Sequence, residues 1–461
     1  MSIEQKSLRT TVKKLNGDSL TPILIFRKMQ GKRKFLLESS SKHEGSGRYS
    51  FIGMDPLKSY SGKNGKIEEY IYETGKTYQH EGDLFVLLKR LMPRISDDLD
   101  FPFTGGAVGY VGYGAGRDGV KHSDDNLGFP EVHFNIYETI VVFDHVLNEV
   151  TILHTEISEV QKTPDLNVFV DQLLTGREKE EGGIELGEYS CPVTQQQFEE
   201  LVRVAKRHIE AGEVEQIVLS RRLVADFKGD PFSLYRKLRK QNPSPYMYYM
   251  EFDDHVVVGT SPESLVRVSD GTVMTNPIAG TRRRGKDTAE DVALEQELLA
   301  DPKELAEHDM LVELGRNDMN IICEADSVQV TSYKQVVRYE HVMHLVSEVE
   351  GKLLPVLHPL DALTAVLPAG TVSGTPKQRA MELIDELEQM DRGIYGGAIG
   401  YIGFNGNMDF ALTIRTMIVK DGKAYVQAGA GIVAASDPTA EYMETANKAR
   451  SLLEVVQRED E

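Results

Sequence analysis

QAGAGIVAASDPTAEYMETANKA, residues 427–449, is the stretch that says most about how this chain folds. Its apolar residues and glycines are typical of a strand with a close turn. Asp437-Pro438 then predicts a helix start, because aspartate caps free amides and proline needs no amide partner. On that helix Glu441, Glu444 and Lys448 follow at spacings of three and four, so they share one face. This grouping predicts an anion site with a metal ion. The usual alternative for two glutamates and a lysine at these spacings is a solvated helix face with one ion pair.

Residues 301–318, DPKELAEHDMLVELGRND, repeat this arrangement. Asp301-Pro302 again predicts a helix start, and Glu304 and Glu307 lie three residues apart within the next turn and a half. If the two glutamate pairs face each other, four carboxylates converge and need a divalent cation. Oxygen ligands favour magnesium, which keeps several waters and is often completed by an anionic substrate. The two stretches together therefore predict a magnesium site between two helices.

Length, charge and cysteine content limit the class of protein. The 461 residues exceed one average domain, and the net charge of −20 opposes binding to nucleic acid or anionic membranes. The two cysteines, Cys191 and Cys323, lack metal-type spacing, which fits a reducing compartment. The N-terminal sequence has no apolar signal segment, and no apolar run has the length of a membrane span. We expect a cytoplasmic protein without nucleic-acid or membrane partners.

Strand and helix patterns favour an α+β fold. Strands dominate both ends of the chain, and helical patterns lie at 194–212, 288–316, 359–366, 376–388 and 438–456. We expect antiparallel sheets packed face to face with helices outside. The charged, glycine-rich segment 176–190 is the best candidate for a linker. It would separate an N-terminal domain, residues 1–175, from a second domain, residues 191–461.

Two nine-residue segments are nearly the same. GGAVGYVGY at 105–113 and GGAIGYIGF at 396–404 match at six positions, and glycine recurs where a neighbouring strand must come close. Only two copies are present, which argues against a solenoid. We interpret the copies as strands of two related sheet halves, one in each domain.

Shorter segments carry other residues suited to chemistry. Glu263, in GTSPESL, follows a strand and can serve as a general acid or base, although a lone carboxylate there more often caps a helix. Gly280 and Thr281 lie in a glycine turn that can donate to an anion. His344 lies on a predicted strand, where a lone histidine is more often structural. Arg415 lies in the predicted strand ALTIRTMIV and suits a carboxylate, because a buried unpaired arginine is costly.

These motifs resemble those of a known family. Eight segments follow the order found in the chorismate-binding domain of anthranilate synthase component I: GTSPES, PIAGTRRRG, KELAEHDMLVELGRND, VMHLVS, AGTVSGTPKQRAM, RGIYGGAIGYIGFNGNMD, IRTM and QAGAGIVAASDPTAEYMETANKA. The similarity covers roughly 194–456, and LLES (36–39) extends it into the N-terminal part. The chain departs from the family pattern at Thr375, where alanine is usual, and in MNIIC after GRND, where a basic residue is common.

The resemblance implies an αββα sandwich, a magnesium ion, and conversion of chorismate and ammonia to anthranilate and pyruvate, the first step of tryptophan biosynthesis. It implies that Glu307 and Glu444 hold the magnesium ion, with Glu304 and Glu441 acting on it through water. Glu263 is expected to protonate the departing 4-hydroxyl group, and His344 to support the loss of pyruvate. The expected substrate contacts are Gly280, Thr281, Tyr395, Arg415, Gly429, Ala430 and Gly431.

Two positions separate the possible reactions within the family. In isochorismate-forming relatives a lysine acts as the base at the position that looks like Gln216 in this chain. Aminodeoxychorismate synthases often carry a lysine nucleophile at the position of Ala279. Both residues here favour direct amination of chorismate at ring carbon 2. A synthase of aminodeoxychorismate or aminodeoxyisochorismate remains the alternative. A di-metal helix bundle is disfavoured by the glycine-rich strands.

The resemblance also implies two partners. Neither Cys191 nor Cys323 lies in a Gly-x-Cys-x-Gly elbow, so we expect ammonia from a separate glutamine amidotransferase subunit, component II. LLES and NPSPYM (242–247) resemble the segments that bind tryptophan in feedback-inhibited members. Glu38 is expected to pair with the tryptophan ammonium, Ser39 to form a hydrogen bond with it, and Tyr246 and Met247 to give an apolar wall. The full predicted effector set is Glu38, Ser39, Asn242, Pro245, Tyr246 and Met247. A strand end packed on a proline turn is the ordinary structural explanation.

Overall fold

The computed structural model describes residues 10–40, 47–95, 99–117, 127–157, 164–180, 182–339 and 342–455. The strands of the N-terminal part are β1 Thr10–Asn16, β2 Phe35–Glu38, β3 Tyr49–Gly53, β4 Lys58–Lys63, β5 Lys66–Ile71, β6 Lys76–Glu81, β7 Gly106–Val111, β8 Val132–Tyr137, β9 Thr139–Asp144, β10 Glu149–Thr155 and β11 Ile184–Leu186. The later strands are β12 Gln216–Gly229, β13 Tyr246–Glu251, β14 His255–Ser261, β15 Ser264–Ser269, β16 Thr272–Thr275, β17 Ile278–Arg283, β18 Gln329–Arg338, β19 Val342–Lys352, β20 Gly374–Thr375, β21 Ala398–Gly403, β22 Met408–Leu412, β23 Thr416–Lys420 and β24 Lys423–Ile432.

The described residues form ten α-helices. They are α1 Pro22–Lys28, α2 Leu84–Leu91, α3 Leu166–Thr175, α4 Gln195–Glu210, α5 Pro231–Gln241, α6 Thr288–Ala300, α7 Pro302–Asn320, α8 Pro359–Val366, α9 Lys377–Glu388 and α10 Pro438–Leu453. Of these, α4 and α6 to α10 lie in the five predicted helical regions, and α1, α2, α3 and α5 lie outside them. The predicted helical region 288–316 is two helices, because Asp301 ends α6 and caps α7. Among the described residues, no helix is long and apolar enough to cross a membrane.

The strands form two large antiparallel sheets, which confirms the predicted α+β fold. The first sheet has the order β1-β10-β9-β3-β2-β13-β14-β23-β24-β12-β11, with β20 paired to β12. The second has the order β17-β19-β16-β15-β22-β21-β7-β8-β4-β5-β6, with β18 paired to β19. An aromatic core that includes Phe35, Phe51, Tyr110 and Tyr401 lies between the sheets. The outer faces are covered by helices, so the layers are those of an αββα sandwich.

The two glycine-rich segments are direct neighbours in one sheet. Strand β7 pairs with β21, and Gly109 lies opposite Gly400. A Cβ atom at Gly109 would lie 1.9 Å from the carbonyl oxygen of His133, so only glycine fits at this approach. In this sheet β7 ends the half built from strands before residue 176, and β21 ends the half built from strands after residue 190. Each copy therefore lies in its own half of the sheet, as predicted, and the halves join at this pair, while the assignment of the copies to two related domains stays a prediction.

The predicted linker is partly structured. Strand β11, Ile184–Leu186, pairs with β12 at the edge of the first sheet. Both sheets also contain strands from either side of the segment 176–190. The boundaries at 175 and 191 stay a prediction, since the sheets themselves are continuous across them.

Candidate active site

A cavity of about 710 Å³ brings together distant parts of the second half of the chain. It lies among α7, α10, β17, β19 and the ends of β12 and β24. The predicted catalytic, substrate and metal residues that line it are Glu263, Gly280, Thr281, Glu304, Glu307, His344, Tyr395, Arg415, Gly429, Gly431, Glu441 and Glu444. Ala430 is the exception, because its side chain is fully buried on the other face of β24, against α4 and α9.

Glu263 lies in the short turn between β14 and β15. Its backbone carbonyl accepts a hydrogen bond from the amide of Leu412 at 3.0 Å, which fixes the turn against β22. The Thr371 hydroxyl donates to Glu263 Oε1 at 2.9 Å. Burial raises the pKa of Glu263 to about 7, and Thr371, Lys448 and Arg415 oppose that rise. A carboxyl group with this pKa is partly protonated near neutrality and can donate a proton.

His344, on β19, faces the turn of β17. Its Nδ1 lies 3.1 Å from the carbonyl oxygen of Gly280 and 3.0 Å from Thr281 Oγ1. A carbonyl oxygen only accepts, so the contact with Gly280 assigns the proton to Nδ1 and leaves Nε2 as an acceptor. Burial lowers the pKa of His344 to about 4, with Arg415 adding to the effect. The imidazole is therefore neutral at physiological pH.

Arg415 is not in a strand, contrary to the sequence prediction. It lies in the turn between β22 and β23 with a φ of 48°, a left-handed conformation that a regular strand does not contain. Burial lowers the pKa of its guanidinium, while Glu263 and Tyr339 act in the opposite direction. Within the described residues, no carboxylate forms an ion pair with Arg415, which leaves its donors for an anion in the cavity.

Tyr395 lies beside the glycine backbone of β24. A Cβ atom at Gly429 would lie 2.6 Å from the Tyr395 hydroxyl oxygen, so glycine lets the ring approach the strand. Burial raises the pKa of Tyr395, and its hydroxyl therefore stays a donor. The combination of Tyr395, Arg415 and the open backbone of Gly429 and Gly431 suits a carboxylate.

The two Glu-x-x-Glu pairs lie on facing helices. Asp301 caps α7 by accepting from the amides of Lys303 and Glu304, and Asp437 caps α10 by accepting from Ala440. Burial raises the pKa of Glu307, and the negative charges of Glu304 and Glu444 add to the rise. Burial likewise raises the pKa of Glu441, with Glu444 adding to it.

This oxygen-only set fits a divalent cation held by few protein atoms. No group of three histidine, cysteine, aspartate or glutamate side chains is close enough to bind a metal ion by itself, as far as the described residues show. Magnesium accepts such a site, because it keeps several waters and is completed by substrate oxygens. Lys448 partly balances the charge: its Nζ lies 2.7 Å from Glu444 and donates to the Gly429 carbonyl at 3.0 Å.

Sequence reasoning did not assign roles to three of the residues that organise this cavity. Thr371 lies in a short 3-10 turn, Gly370–Val372, and orients Glu263. Arg392 and Glu388 form an ion pair with both side chains almost fully buried, and Arg392 also donates to the Val372 carbonyl at 2.7 Å. The motif AGTVSGTPK carried the signal for Thr371, since its glycines predict a turn, but nothing local indicates which carboxylate the hydroxyl meets.

The two predicted effector segments come together, with one difference from expectation. Strand β2 pairs with β13, Glu38 lies opposite Met247, and the Ser40 amide donates to the Ser244 carbonyl at 3.1 Å. Glu38 is already engaged, since it accepts from Arg239 Nε at 2.8 Å and from the Tyr235 hydroxyl at 2.5 Å. A ligand ammonium would have to share this carboxylate with Arg239.

Tyr246 and Met247 do not form one apolar wall, so that part of the prediction is wrong. Successive side chains of a strand point to opposite faces. Met247 packs in the core under α1 and α5, whereas Tyr246 faces the space between the sheets and donates to Asp409 Oδ1 at 2.9 Å. Asn242 caps α5 and donates to the Ser451 carbonyl at 2.8 Å. Pro245 is half-buried between them.

Known proteins match this chain along nearly its whole length. The chorismate binding enzyme family matches residues 32–454. Anthranilate synthase component 1 of Lactococcus lactis subsp. lactis (strain IL1403) is 44% identical over 458 residues, covering 97% of this chain and 99% of that protein. The crystal structure of anthranilate synthase component I from Streptococcus pneumoniae TIGR4 is 38% identical with a TM-score of 0.77, covering 98% of this chain and 100% of that one.

A more distant structure supports the fold alone. The menaquinone-specific isochorismate synthase from Escherichia coli has a TM-score of 0.74 at 19% identity, covering 98% of this chain and 97% of that one. The family model and the two proteins that are 44% and 38% identical to this chain show which family it belongs to. The chain therefore belongs to the family of chorismate-binding enzymes, in the group of anthranilate synthase component I.

Proposed function

We propose that this chain converts chorismate and ammonia to anthranilate, pyruvate and water. The observation that carries the proposal is the combination in one cavity of three groups: Glu263 with a pKa of about 7, the neutral His344 imidazole, and Arg415 without a carboxylate partner among the described residues. The first can give a proton, the second can accept one, and the third can bind an anion.

The two carboxylates of chorismate suit the two ends of the cavity. Arg415 and Tyr395 would bind the enolpyruvyl carboxylate, helped by the open backbone of Gly429 to Gly431. The ring carboxylate would lie near Gly280 and Thr281. Glu307 and Glu444 would hold a magnesium ion, with Glu304 and Glu441 acting through water, and its charge, when bound, would neutralise the ring carboxylate.

Glu263 serves the first stage. Ammonia forms a bond to ring carbon 2, both ring double bonds shift by one position, and the bond from carbon 4 to its hydroxyl breaks. Hydroxide is a poor leaving group, so the Glu263 proton goes to the departing oxygen, which leaves as water. The Thr371 hydroxyl donates to Oε1 at 2.9 Å, and the second carboxyl oxygen would carry the proton that is transferred.

His344 serves the second stage. Its Nε2 accepts the proton from ring carbon 2, the bond from carbon 3 to the enolpyruvyl oxygen breaks, and the enolate of pyruvate departs as the ring becomes aromatic. The methylene carbon of this enolate then takes up a proton from solvent, which gives pyruvate. The contact of Nδ1 with the Gly280 carbonyl at 3.1 Å holds the ring and its tautomer. An imidazole with a pKa of about 4 is a weak base, and the negative charges of bound chorismate strengthen it.

The residues that line the cavity favour ammonia, rather than water or a lysine side chain, as the nucleophile. Gln216 and Ala279, the two positions at which the sequence resemblance separates the possible reactions, both line the cavity. An amide cannot take a proton from water, and a methyl group cannot attack the ring. Neutral ammonia needs neither residue.

Product identification tests the proposal. The protein is incubated with chorismate, magnesium and ammonium, and anthranilate is measured by its fluorescence, with pyruvate measured in parallel. Equal amounts of both are expected. An aminated product formed without pyruvate would identify an aminodeoxychorismate or aminodeoxyisochorismate synthase instead.

The proposal includes a partner and an effector. The name component 1 of the relatives indicates a second component, which we take to be the amidotransferase that supplies ammonia from glutamine. Tryptophan is proposed to bind where β2 meets the turn before β13. One observation favours a small polar ligand there: the Ser39 hydroxyl is buried without a partner among the described residues. The neighbouring Glu38 carboxylate, which already accepts from Arg239, would be shared with the ammonium group of the ligand. Because the segments come from distant parts of the chain, such a ligand can alter their packing.

A further inference from the structure

A groove of about 500 Å³ lies on the outer face of the first sheet, away from the catalytic cavity. Strand β12 forms its floor, α10 forms one wall, and the segment 189–194 forms the other. That segment is fixed to the sheet, because Ser190 and Val224 exchange two backbone hydrogen bonds of 2.9 Å. Among the described residues, this space, here called the α10 groove, has no lining residue in common with the catalytic cavity.

Helix α10 stands between the two spaces. Tyr442, Ala446 and Arg450 follow at spacings of four and present one face of the helix to the α10 groove. Glu441 and Glu444, on a neighbouring face, line the catalytic cavity. The α10 groove is therefore a separate space, and no step of the proposed reaction uses it.

Arg221 brings a buried positive charge to the floor of the α10 groove. The residue is only 3% exposed. Its Nε donates to Thr445 Oγ1 at 2.7 Å, and its guanidinium carbon lies 4.0 Å from the ring centroid of Tyr442. No carboxylate of the described residues pairs with it, and the aromatic ring offsets the cost of burying the charge only in part. Arginine is rarely buried without an anionic partner, so this guanidinium is suited to bind an anion in the groove.

Tyr189 brings a hydrogen-bond donor to the same groove. Its hydroxyl oxygen is buried and has no hydrogen-bond partner in the part of the chain that the structure describes. Burial raises the pKa of Tyr189, so the hydroxyl keeps its proton at physiological pH. Buried hydroxyl groups normally have a partner, and here a ligand can supply the acceptor. An anion in the groove would satisfy both Tyr189 and Arg221.

The remaining lining residues indicate what kind of anion fits. Arg450 pairs with Glu454 at 3.3 Å. The groove therefore has two guanidinium groups and one carboxylate, and the excess of one positive charge matches a monoanion. Most of the other lining side chains are apolar: Val193, Leu223, Ala446 and Leu453. Apolar walls with a few convergent polar groups are typical of a site for a small molecule.

We propose that the α10 groove binds a small monocarboxylic acid with an apolar body. The carboxylate accepts from Arg221 and Tyr189, and the apolar body packs against Leu223 and Leu453. A planar guanidinium matches a planar carboxylate. A phosphate dianion fits less well, because its second charge would be left uncompensated between apolar walls.

Titration calorimetry with benzoate as the probe tests this assignment without any need for turnover. Benzoate should bind the wild type with a Kd below about 1 mM. Benzamide has the same shape without the charge, and acetate has the charge without the ring, so each should bind at least about ten-fold more weakly. Absence of benzoate binding at about 10 mM overturns the proposal, as does equal affinity for benzamide or for acetate.

Two small changes in the groove locate the binding site. Tyr189→Phe removes only the unpaired hydroxyl, so it should weaken benzoate binding at least about five-fold and leave the midpoint of urea unfolding unchanged or higher. Ala446→Leu fills the groove and should weaken binding at least about ten-fold. Ala440→Leu is the matched control, because Ala440 is an exposed alanine on the same helix outside the groove, and it should bind benzoate as the wild type does.

Two arginine variants separate the α10 groove from the catalytic cavity, which is the other place where benzoate could bind. Arg221→Leu should lose the benzoate site that Arg415→Leu retains. Retention in a folded Arg221→Leu protein overturns the proposal, because the probe then lies elsewhere. If Arg221→Leu does not fold, or if both arginine variants lose binding, Tyr189→Phe and Ala446→Leu decide: weakened binding in both supports the site, and wild-type affinity in either overturns it.

Discussion

Replacing Glu263 with glutamine should make the folded protein more stable above neutral pH, although it removes the proposed acid. Burial raises the pKa of Glu263 from an ordinary value of 4.5 to about 7. A carboxyl whose pKa is higher in the folded than in the unfolded state favours folding only while it is protonated. Stability is therefore lost as pH rises from about 4.5 to about 7, and the loss is constant at higher pH.

The structure gives the size of this effect. A pKa difference of about 2.5 corresponds to ~3 kcal/mol at full burial, since each pKa unit is worth about 1.36 kcal/mol. Glu263 borders the large cavity, and solvent there screens part of its charge, so we expect about 1–2 kcal/mol. Glutamine keeps the shape of the side chain and can still accept from Thr371. The Glu263→Gln protein should therefore gain this amount over the wild type between pH 5 and pH 8.

Urea unfolding at the two pH values measures the difference directly, with midpoints and slopes compared. Glu313→Gln is the matched control, because Glu313 is an exposed glutamate on α7 and its replacement should give no pH-dependent gain. An advantage of Glu263→Gln that is the same at pH 5 and pH 8 would refute the raised pKa, and with it the assignment of Glu263 as a proton donor near neutrality.

Four further outcomes are expected. The fall of kcat/KM at alkaline pH should follow deprotonation of Glu263 near pH 7. Thr371→Val should move that fall to higher pH, because the hydrogen bond that it removes stabilises the carboxylate. A profile of kcat/KM that does not move contradicts this assignment. Chelator or Glu444→Gln should abolish turnover with the unfolding curve unchanged, whereas full activity in excess chelator ends the magnesium assignment. His344→Ala should consume chorismate and release a non-aromatic amino product, seen by mass spectrometry; a folded variant that consumes none would move His344 to the first stage. Tryptophan should inhibit the wild type, and Met247→Thr should weaken that inhibition without loss of catalysis; unchanged velocity at saturating tryptophan rules the effector site out.

Local chemistry was sufficient to predict the helix starts and the polar pairs. Asp-Pro at 301 and 437 fixes where α7 and α10 begin, since the caps act within a few residues. Once both starts are known, helical spacing determines which glutamates share a face. Whether the two helices face each other could not be predicted in the same way, because their relative position depends on strands that are far apart in the chain. The magnesium site was therefore predicted only for the case that the helices do face each other.

The wrong placement of Arg415 has a physical origin, which is that pairing between strands is non-local. Nothing within ALTIRTMIV shows that the chain turns at Arg415 with a positive φ between β22 and β23. A local pattern also could not show that the glycine-rich strands β7 and β21, about 290 residues apart in the chain, pair with each other. Tyr246 and Met247 are the exception: strand alternation alone would have placed them on opposite faces.

Burial gives the residues of the candidate site the properties that the proposed function needs. Glu263, His344 and Arg415 differ from surface residues of the same type only in what surrounds them, and their pKa shifts have desolvation as the first cause. Such a site lowers stability, because charged and polar groups are held partly desolvated without full compensation. The buried Arg392–Glu388 pair and the Leu412 amide hold the turns that keep those groups in place. Under the proposed function we therefore expect turnover to depend on residues outside the cavity wall as well, and a substitution at Arg392 to change the pH profile of turnover as well as the free energy of unfolding.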